Sequence, residues 1–165
     1  MKRTLLIAFI LSAFYSCSDD DSFEMTSIGE LSNEWHVRLL LRNGDNTLTD
    51  VGNGYHHMVT ANTSTDNGDS MWVDNRNNTT VSIKSKVSVD TDNLTFSNAK
   101  SVTEVYSGQQ IFISDGQVYK ALGKTFSGNV VDSIYFEVAF NTDTTYVIGG
   151  HQRTGFQEDE ISSLE

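Results

Sequence analysis

An alternation of apolar and polar residues between positions 81 and 90 constrains the fold more than any other feature of this sequence. One face of this segment carries Val81, Ile83, Val87 and Val89, and the other carries Ser82, Lys84, Lys86 and Ser88. A strand with one dry and one wet face is typical of an antiparallel sheet or barrel. Shorter alternations of the same period begin at Trp35 and recur to about residue 151. We therefore predict an all-β domain with minimal helix.

The turn residues support this interpretation. The chain has no proline and 12 glycines, so its turns depend on Asn-Gly and Asp-Gly pairs. Asp115-Gly116 stands between two apolar runs and predicts a two-residue type I′ hairpin over 109–120. Longer strands are expected at 132–140 and 144–151. About nine or ten strands in hairpin succession favour an antiparallel up-and-down barrel.

The amino-terminal residues predict export. Lys2 and Arg3 precede an apolar stretch over 5–15, and Cys17 follows directly before an acidic run. This pattern is typical of a secretory signal, and the apolar stretch is shorter than the ~20 residues that span a bilayer. The segment resembles a bacterial lipoprotein signal, in which Cys17 would be lipidated. The expected organisation is a signal peptide at 1–17, an acidic tether at 18–29, a barrel at 30–157 and an acidic tail at 158–165.

The net charge and the cysteine content limit the classes of binding partner and the modes of membrane attachment that we expect. Removing residues 1–17 takes away two of the 11 basic residues and none of the 22 acidic ones, so the mature charge is 9 − 22 = −13. Such a charge disfavours nucleic acid and anionic membrane surfaces. Cys17 is the only cysteine, so its lipid is the expected membrane attachment. We expect an outer-membrane protein at the cell surface, with a periplasm-facing orientation as the alternative, and leave any protein partner open.

Four segments carry a resemblance to a known family. They are Asn53-Gly54-Tyr55-His56, Met71-Trp72-Val73-Asp74, Asp132-Ser133-Ile134-Tyr135-Phe136-Glu137-Val138 and Gly149-Gly150-His151-Gln152-Arg153-Thr154-Gly155-Phe156. Their order and spacing resemble Bacteroides-group lipoproteins described as "lipid-binding putative hydrolases", over residues 30–160. The resemblance implies a lipocalin-like barrel. In such barrels a tryptophan opens the first strand and a late arginine covers it, which implies that Arg153 stacks on Trp35 within about 6 Å.

The expected function is binding of a small apolar or amphipathic, lipid-like ligand in the barrel. The candidate lining residues are Tyr55, His57, Trp72, Phe112, Tyr119, Tyr135 and Glu137. Alternation does not show which face is inward, so Glu137 is either a polar anchor of a pocket or an outer residue. Two alternatives stay open: a filled barrel that acts as a structural or interaction module, and a hydrolase of a lipid-like substrate.

Evidence for catalysis in the sequence is slight. The chain lacks Gly-x-Ser-x-Gly and His-Glu-x-x-His motifs. His151 is the one weak catalytic candidate, and a structural histidine beside Arg153 is the favoured interpretation. His56 and His57 are adjacent on a strand and face opposite ways, so they would not share one metal ion. We therefore expect no metal ligands and no cofactor, and we lean against an enzyme.

Overall fold

The computed structural model describes residues 26–141 and 144–161. The expected signal peptide, Cys17 and most of the tether therefore lie outside the described residues. The described residues form nine strands: β1 Asn33–Arg42, β2 Leu48–Asn62, β3 Ser70–Asp74, β4 Lys84–Asp90, β5 Thr95–Ser97, β6 Val102–Thr103, β7 Gln110–Lys124, β8 Val130–Phe140 and β9 Thr145–Gln152. Two 3-10 turns, Gly29–Leu31 and Gln157–Asp159, flank the strands. In the described part, no helix has the length and apolar character needed to cross a membrane.

The strands form a closed antiparallel barrel. The hydrogen-bonded order is β5-β4-β3-β2-β1-β9-β8-β7-β6, and β5 also pairs with β7. This last pairing closes eight strands into a ring and leaves β6 as an extra strand beside β7. Nearly every strand pairs with its neighbour in sequence, as consecutive hairpins require. The predicted all-β, up-and-down barrel is confirmed.

The inward face of the strands is packed with apolar side chains. One continuous core joins residues from eight of the strands, all but β6. It includes Trp35, Val37, Leu39, Met71, Val73, Ile113, Phe136 and Ile148, each 0% exposed. Since no sphere of the size of a water molecule can touch these side chains, they border no cavity large enough to hold water. The middle of the barrel is therefore filled by its own side chains, as small barrels allow.

The segment predicted as a type I′ hairpin is a bulge within one long strand. β7 runs from Gln110 to Lys124 without turning back, and its pairing with β8 slips between Ser114 and Gln117. Asp115 has a φ of 54°, and a Cβ on Gly116 would lie 2.3 Å from the Phe96 carbonyl oxygen. The Asp-Gly pair thus lets β7 bend closely against β5. The hairpin prediction was wrong because a left-handed residue followed by glycine serves a bulge as well as a turn.

Both ends of the domain extend further than the sequence indicated. Ile28, placed in the expected tether, is 2% exposed and belongs to the core. Asp159, placed in the expected loose tail, is 1% exposed and accepts hydrogen bonds from Ser127 N at 2.8 Å and Thr154 Oγ1 at 3.0 Å. The turn at Gln157–Asp159 is therefore fixed to the loop between β7 and β8.

Candidate functional site

Three histidines form a row across the outer face of the barrel. His36 on β1 lies opposite His57 on β2 and opposite His151 on β9. The ring centroids of His36 and His57 are 5.0 Å apart, and those of His36 and His151 are 5.4 Å apart. Because neighbouring strands hold the row in register, the spacing of the imidazoles is set by the sheet itself.

Aromatic rings cover this row. Phe126, from the β7–β8 loop, stacks on His36 with centroids 5.7 Å apart and meets the edge of His151 at 5.1 Å. Tyr55 packs against Phe126 at 5.2 Å and against His151 at 5.5 Å. We call His36, His57, His151, Tyr55 and Phe126 the histidine cluster. The cover leaves His36 fully buried although it lies on the outer face of its strand.

Two carboxylates and one guanidinium border the histidine cluster. Arg153 donates to Glu160 Oε2 from Nε at 3.0 Å, and its Nη1 forms a short ion pair with Glu34. Glu160 Oε2 lies 3.8 Å from Nε2 of His36. Arg153 lowers the pKa of Glu160 and of Glu34 by hydrogen bonding. Glu160 is therefore an anion held beside buried imidazoles.

His36 is neutral in this environment. Burial lowers its pKa from 6.5 to about 4, and the neighbouring His57 and His151 act in the same direction. Neither ring nitrogen of His36 has a hydrogen-bond partner, and Nε2 of His151 also has none. The ligand atoms of His36, His57 and Glu160 all lie within 4.8 Å of one another. Among the described residues, these three side chains form the group that could hold a metal ion.

An apolar groove opens beside the histidine cluster. It has a volume of about 460 Å³ and is lined by Gly54, Tyr55, Phe126, Gln157, Glu158, Glu160 and Ile161. Phe126, in the loop between β7 and β8, and Phe156, directly before the turn Gln157–Asp159, are both exposed apolar side chains. Glu160 thus belongs both to the groove and to the border of the histidine cluster.

A second polar group surrounds Glu137. Its carboxylate accepts a hydrogen bond from Tyr135 Oη at 2.6 Å and forms a short ion pair with Arg42. Burial raises the pKa of Tyr135 to about 12, and the Glu137 charge adds to this. Ile134, Phe136 and Val138 face the core, so Glu137 lies on the outer face. Of the two interpretations of Glu137, the structure supports the outer residue and not the polar anchor of a pocket inside the barrel.

The predicted lining residues all lie on the outer face of the barrel, at strand positions that alternate with core residues or pair with other outer residues. This holds for Tyr55, His57, Trp72, Phe112, Tyr119, Tyr135 and Glu137. A ligand inside the barrel would not meet them. Tyr55 and His57 both belong to the histidine cluster. Tyr135 and Glu137 lie together beside Arg42. Tyr119 pairs with Ser133, which in turn pairs with His151. Their role in binding stays a prediction, for a ligand outside the barrel.

The expected stacking of Arg153 on Trp35 is replaced by other contacts. Among residues 26–141 and 144–161, the cation–π pairs are Arg38 over Tyr55 at 6.0 Å and Lys84 over Tyr106 at 5.4 Å. Trp35 points inward and donates from Nε1 to Thr60 Oγ1 at 2.8 Å. Arg153 binds Glu34, whose side chain points outward because it precedes Trp35 on the strand. The two residues therefore lie on opposite faces of β1.

His151 has no catalytic partner in the part of the chain that the structure describes. Its Nδ1 lies 3.1 Å from the Gln152 carbonyl oxygen, and its Nε2 is unpartnered. No serine or aspartate side chain hydrogen-bonds to it among the described residues, so a serine-histidine pair is not formed.

His36 and Glu160 were not predicted as site residues from the sequence. His57 was compared with the adjacent His56, whereas its partners come from β1 and from the segment after β9. One feature of the sequence pointed to this contact: His36 and His57 belong to consecutive strands, which a succession of hairpins places side by side. Only the register of β1 with β2 and β9 shows that the three imidazoles are aligned.

A scan against protein families matches residues 20–157 to the family described as "lipid-binding putative hydrolase". A search of curated proteins found no match. The matched region contains all nine strands, the histidine cluster and Phe126, and it covers most of the chain. The chain therefore belongs to the family of lipid-binding putative hydrolases.

Proposed function

We propose that this protein binds a single-chain amphipathic lipid on the outside of its barrel, in the groove between Tyr55, Phe126 and Ile161. The observation that carries the proposal is the combination of a filled barrel core with an apolar groove on the outer face. The lipid-binding description of the family supports the ligand class. The groove replaces the barrel interior as the expected place of binding.

The dimensions and chemistry of the groove fit such a ligand. A volume of about 460 Å³ lies within the range of ~300–1,000 Å³ that small-molecule sites occupy. Phe126 is 47% exposed at the groove and offers an aromatic surface to an acyl chain. Glu158 and Glu160 form an acidic rim, which favours a zwitterionic head group over an anionic one.

The test is native mass spectrometry of the full chain with lysophosphatidylcholine, and with palmitate as the anionic comparison. We expect one bound lysophosphatidylcholine, and weaker binding of palmitate. Replacing Phe126→Ser should reduce binding at least about tenfold, since it removes about 1.5–3 kcal/mol of apolar contact. The matched control is Leu48→Ser, because Leu48 is also 47% exposed and does not line the groove.

Equal loss of binding in both variants, or in neither, would contradict the groove as the binding place. Absence of lipid binding by the unaltered chain would contradict the proposed ligand class. Circular dichroism of each variant establishes that the barrel is folded before binding is compared.

We also propose that the domain is displayed at the cell surface by a lipid on Cys17. The basic residues at positions 2–3, the apolar stretch and the acidic run after Cys17 support this. Metabolic labelling with a tagged fatty acid should mark the chain, and Cys17→Ser should abolish the label. Protease treatment of intact cells should degrade the displayed domain. Protection from protease in intact cells would favour the periplasm-facing orientation.

A further inference from the structure

We propose that the histidine cluster holds a divalent transition-metal ion of the Zn²⁺ type, with His36, His57 and Glu160 as its protein ligands. The proposal concerns a site beneath the lipid-binding groove and does not depend on lipid binding. Imidazole nitrogens together with one carboxylate oxygen form a ligand set that suits Zn²⁺.

The distances are close to those that a metal requires. Zn²⁺ takes ligand atoms at about 2.0–2.2 Å, so two atoms at a tetrahedral ion are about 3.4 Å apart. Nε2 of His36 and Oε2 of Glu160 are 3.8 Å apart, and all three ligand atoms lie within 4.8 Å of one another. Side-chain rotations that bring the atoms closer by up to about 1.4 Å would complete the site.

The buried nitrogens of His36 provide a second, independent observation. This residue is 0% exposed, and neither of its ring nitrogens has a hydrogen-bond partner. A buried polar group without a partner is destabilising, because no hydrogen bond offsets its loss of contact with water, so a fold that keeps one there needs a compensating partner. A metal ion at Nε2 supplies that partner, and the neutral imidazole of His36 is the form that binds metal.

The surroundings resemble the outer shell of a metal site. Arg153 holds Glu160 through two contacts, Nε to Oε2 at 3.0 Å and Nη2 to Oε1 at 2.7 Å. Glu34 binds the same guanidinium and offsets its charge, which leaves the Glu160 charge to face a cation. Outer contacts of this kind orient metal ligands. Phe126 stacks on His36, and Tyr55 packs against Phe126, so the two rings cover the His36 side of the position.

The test uses the full chain, purified without a histidine tag and stripped with a chelator. Zn²⁺ binding is measured by isothermal titration calorimetry and by elemental analysis after dialysis. Co²⁺ is then used as a spectroscopic probe, because a tetrahedral Co²⁺ site absorbs far more strongly than an octahedral one. We expect one equivalent of metal and an intense tetrahedral Co²⁺ spectrum.

Two matched variants separate this site from adventitious binding. His57→Gln removes a proposed ligand, whereas His56→Gln makes the same change at the adjacent residue, which lies on the opposite face of β2 with Nε2 2.5 Å from the Gly52 carbonyl oxygen. We expect His57→Gln to weaken Zn²⁺ binding more than about 100-fold, beyond the 10–100-fold cost of losing an outer-shell partner. His56→Gln should leave it within about twofold.

Glu160→Gln gives a third measurement that does not alter a strand. We expect it to weaken Zn²⁺ binding and to diminish the tetrahedral Co²⁺ spectrum, while the circular dichroism spectrum stays unchanged. Less than half an equivalent of Zn²⁺, a weak octahedral Co²⁺ spectrum, or equal affinity in the His56 and His57 variants would each overturn the proposal.

Discussion

The hydroxyl of Thr60 on β2 connects the turn Gly29–Leu31, the start of β1 and the side chain of Trp35. Its Oγ1 accepts hydrogen bonds from Trp35 Nε1 at 2.8 Å and from Asn33 N at 3.1 Å, and it donates to the Leu31 carbonyl. Thr60 is 1% exposed and Trp35 is 0% exposed, so water does not replace these bonds. Thr60→Val keeps the shape of the side chain and removes all three.

The cost follows from this count. Three hydrogen bonds at a net ~1 kcal/mol each give a loss of about 3 kcal/mol in the free energy of unfolding. A domain with a stability of about 5–15 kcal/mol stays folded after such a loss. With a urea dependence of about 2 kcal/mol per molar, the unfolding midpoint should fall by about 1.5 M.

The assay is urea unfolding followed by tryptophan fluorescence and, separately, by circular dichroism. Thr60→Ser is the matched control, because it keeps the hydroxyl and removes one methyl group, at a cost of about 1 kcal/mol. If Thr60→Val lowered the free energy of unfolding no more than Thr60→Ser does, the three hydrogen bonds of Thr60 would contribute nothing to the stability of the barrel.

Two further predictions concern close packing and pH. Gly150→Ala should destabilise the barrel by at least about 3 kcal/mol, since a Cβ there would lie 2.0 Å from the His36 carbonyl oxygen. Gly149→Ala, whose Cβ would come no closer than 3.8 Å to another atom, should change the thermal midpoint little, and similar effects of the two would contradict the β1–β9 packing. Burial alone would raise the pKa of Glu104, but hydrogen bonds from Tyr106 and Ser107 lower it below 4.5. Its stabilisation is therefore complete above pH ~4.5 and is lost as the pH falls through the lower folded-state pKa. Glu104→Gln should lower the unfolding free energy at pH 7 by about 1–3 kcal/mol and flatten its fall below pH 4.5, and an unchanged pH profile would contradict this.

The fold class was accessible from sequence because period-two alternation depends only on which residues face the core. Val81, Ile83 and Val87 were placed on one face, and all three are buried. Asn43-Gly44, one of the Asn-Gly pairs on which turns were expected to depend, follows directly after the end of β1 at Arg42. These features are local, so the sequence is enough to predict them.

The roles of the Asx-Gly pairs required the tertiary structure. Asn53 and Asp115 have φ values of 63° and 54°, as type I′ turns would require. Both nevertheless lie inside 15-residue strands, β2 and β7. A positive φ followed by glycine permits a turn or a bulge, and the pairing partners of the flanking residues decide between them.

The candidate site could be predicted only in part from the sequence, because it too depends on which strands pair. Tyr55 and His57 were singled out, and both belong to the histidine cluster. The inward or outward direction of their strand could not be read from alternation, because aromatic and apolar residues occupy both faces. His36 and Glu160 join His57 only through the register of β1 with β2 and through the turn at Gln157–Asp159, which no local pattern reveals.

If the ligand binds on the outer face, beside the histidine cluster, its acyl chain contacts the residues of the groove and not those of the barrel core. Photo-crosslinking with a lysophosphatidylcholine that carries a diazirine in its acyl chain tests this directly, with the labelled peptides mapped by mass spectrometry. We predict labels at Tyr55, Phe126 and the 156–161 segment, which line or adjoin the groove. Labels at the core residues Met58, Met71 or Phe136 would show that the lipid enters the barrel and would contradict binding on the outer face.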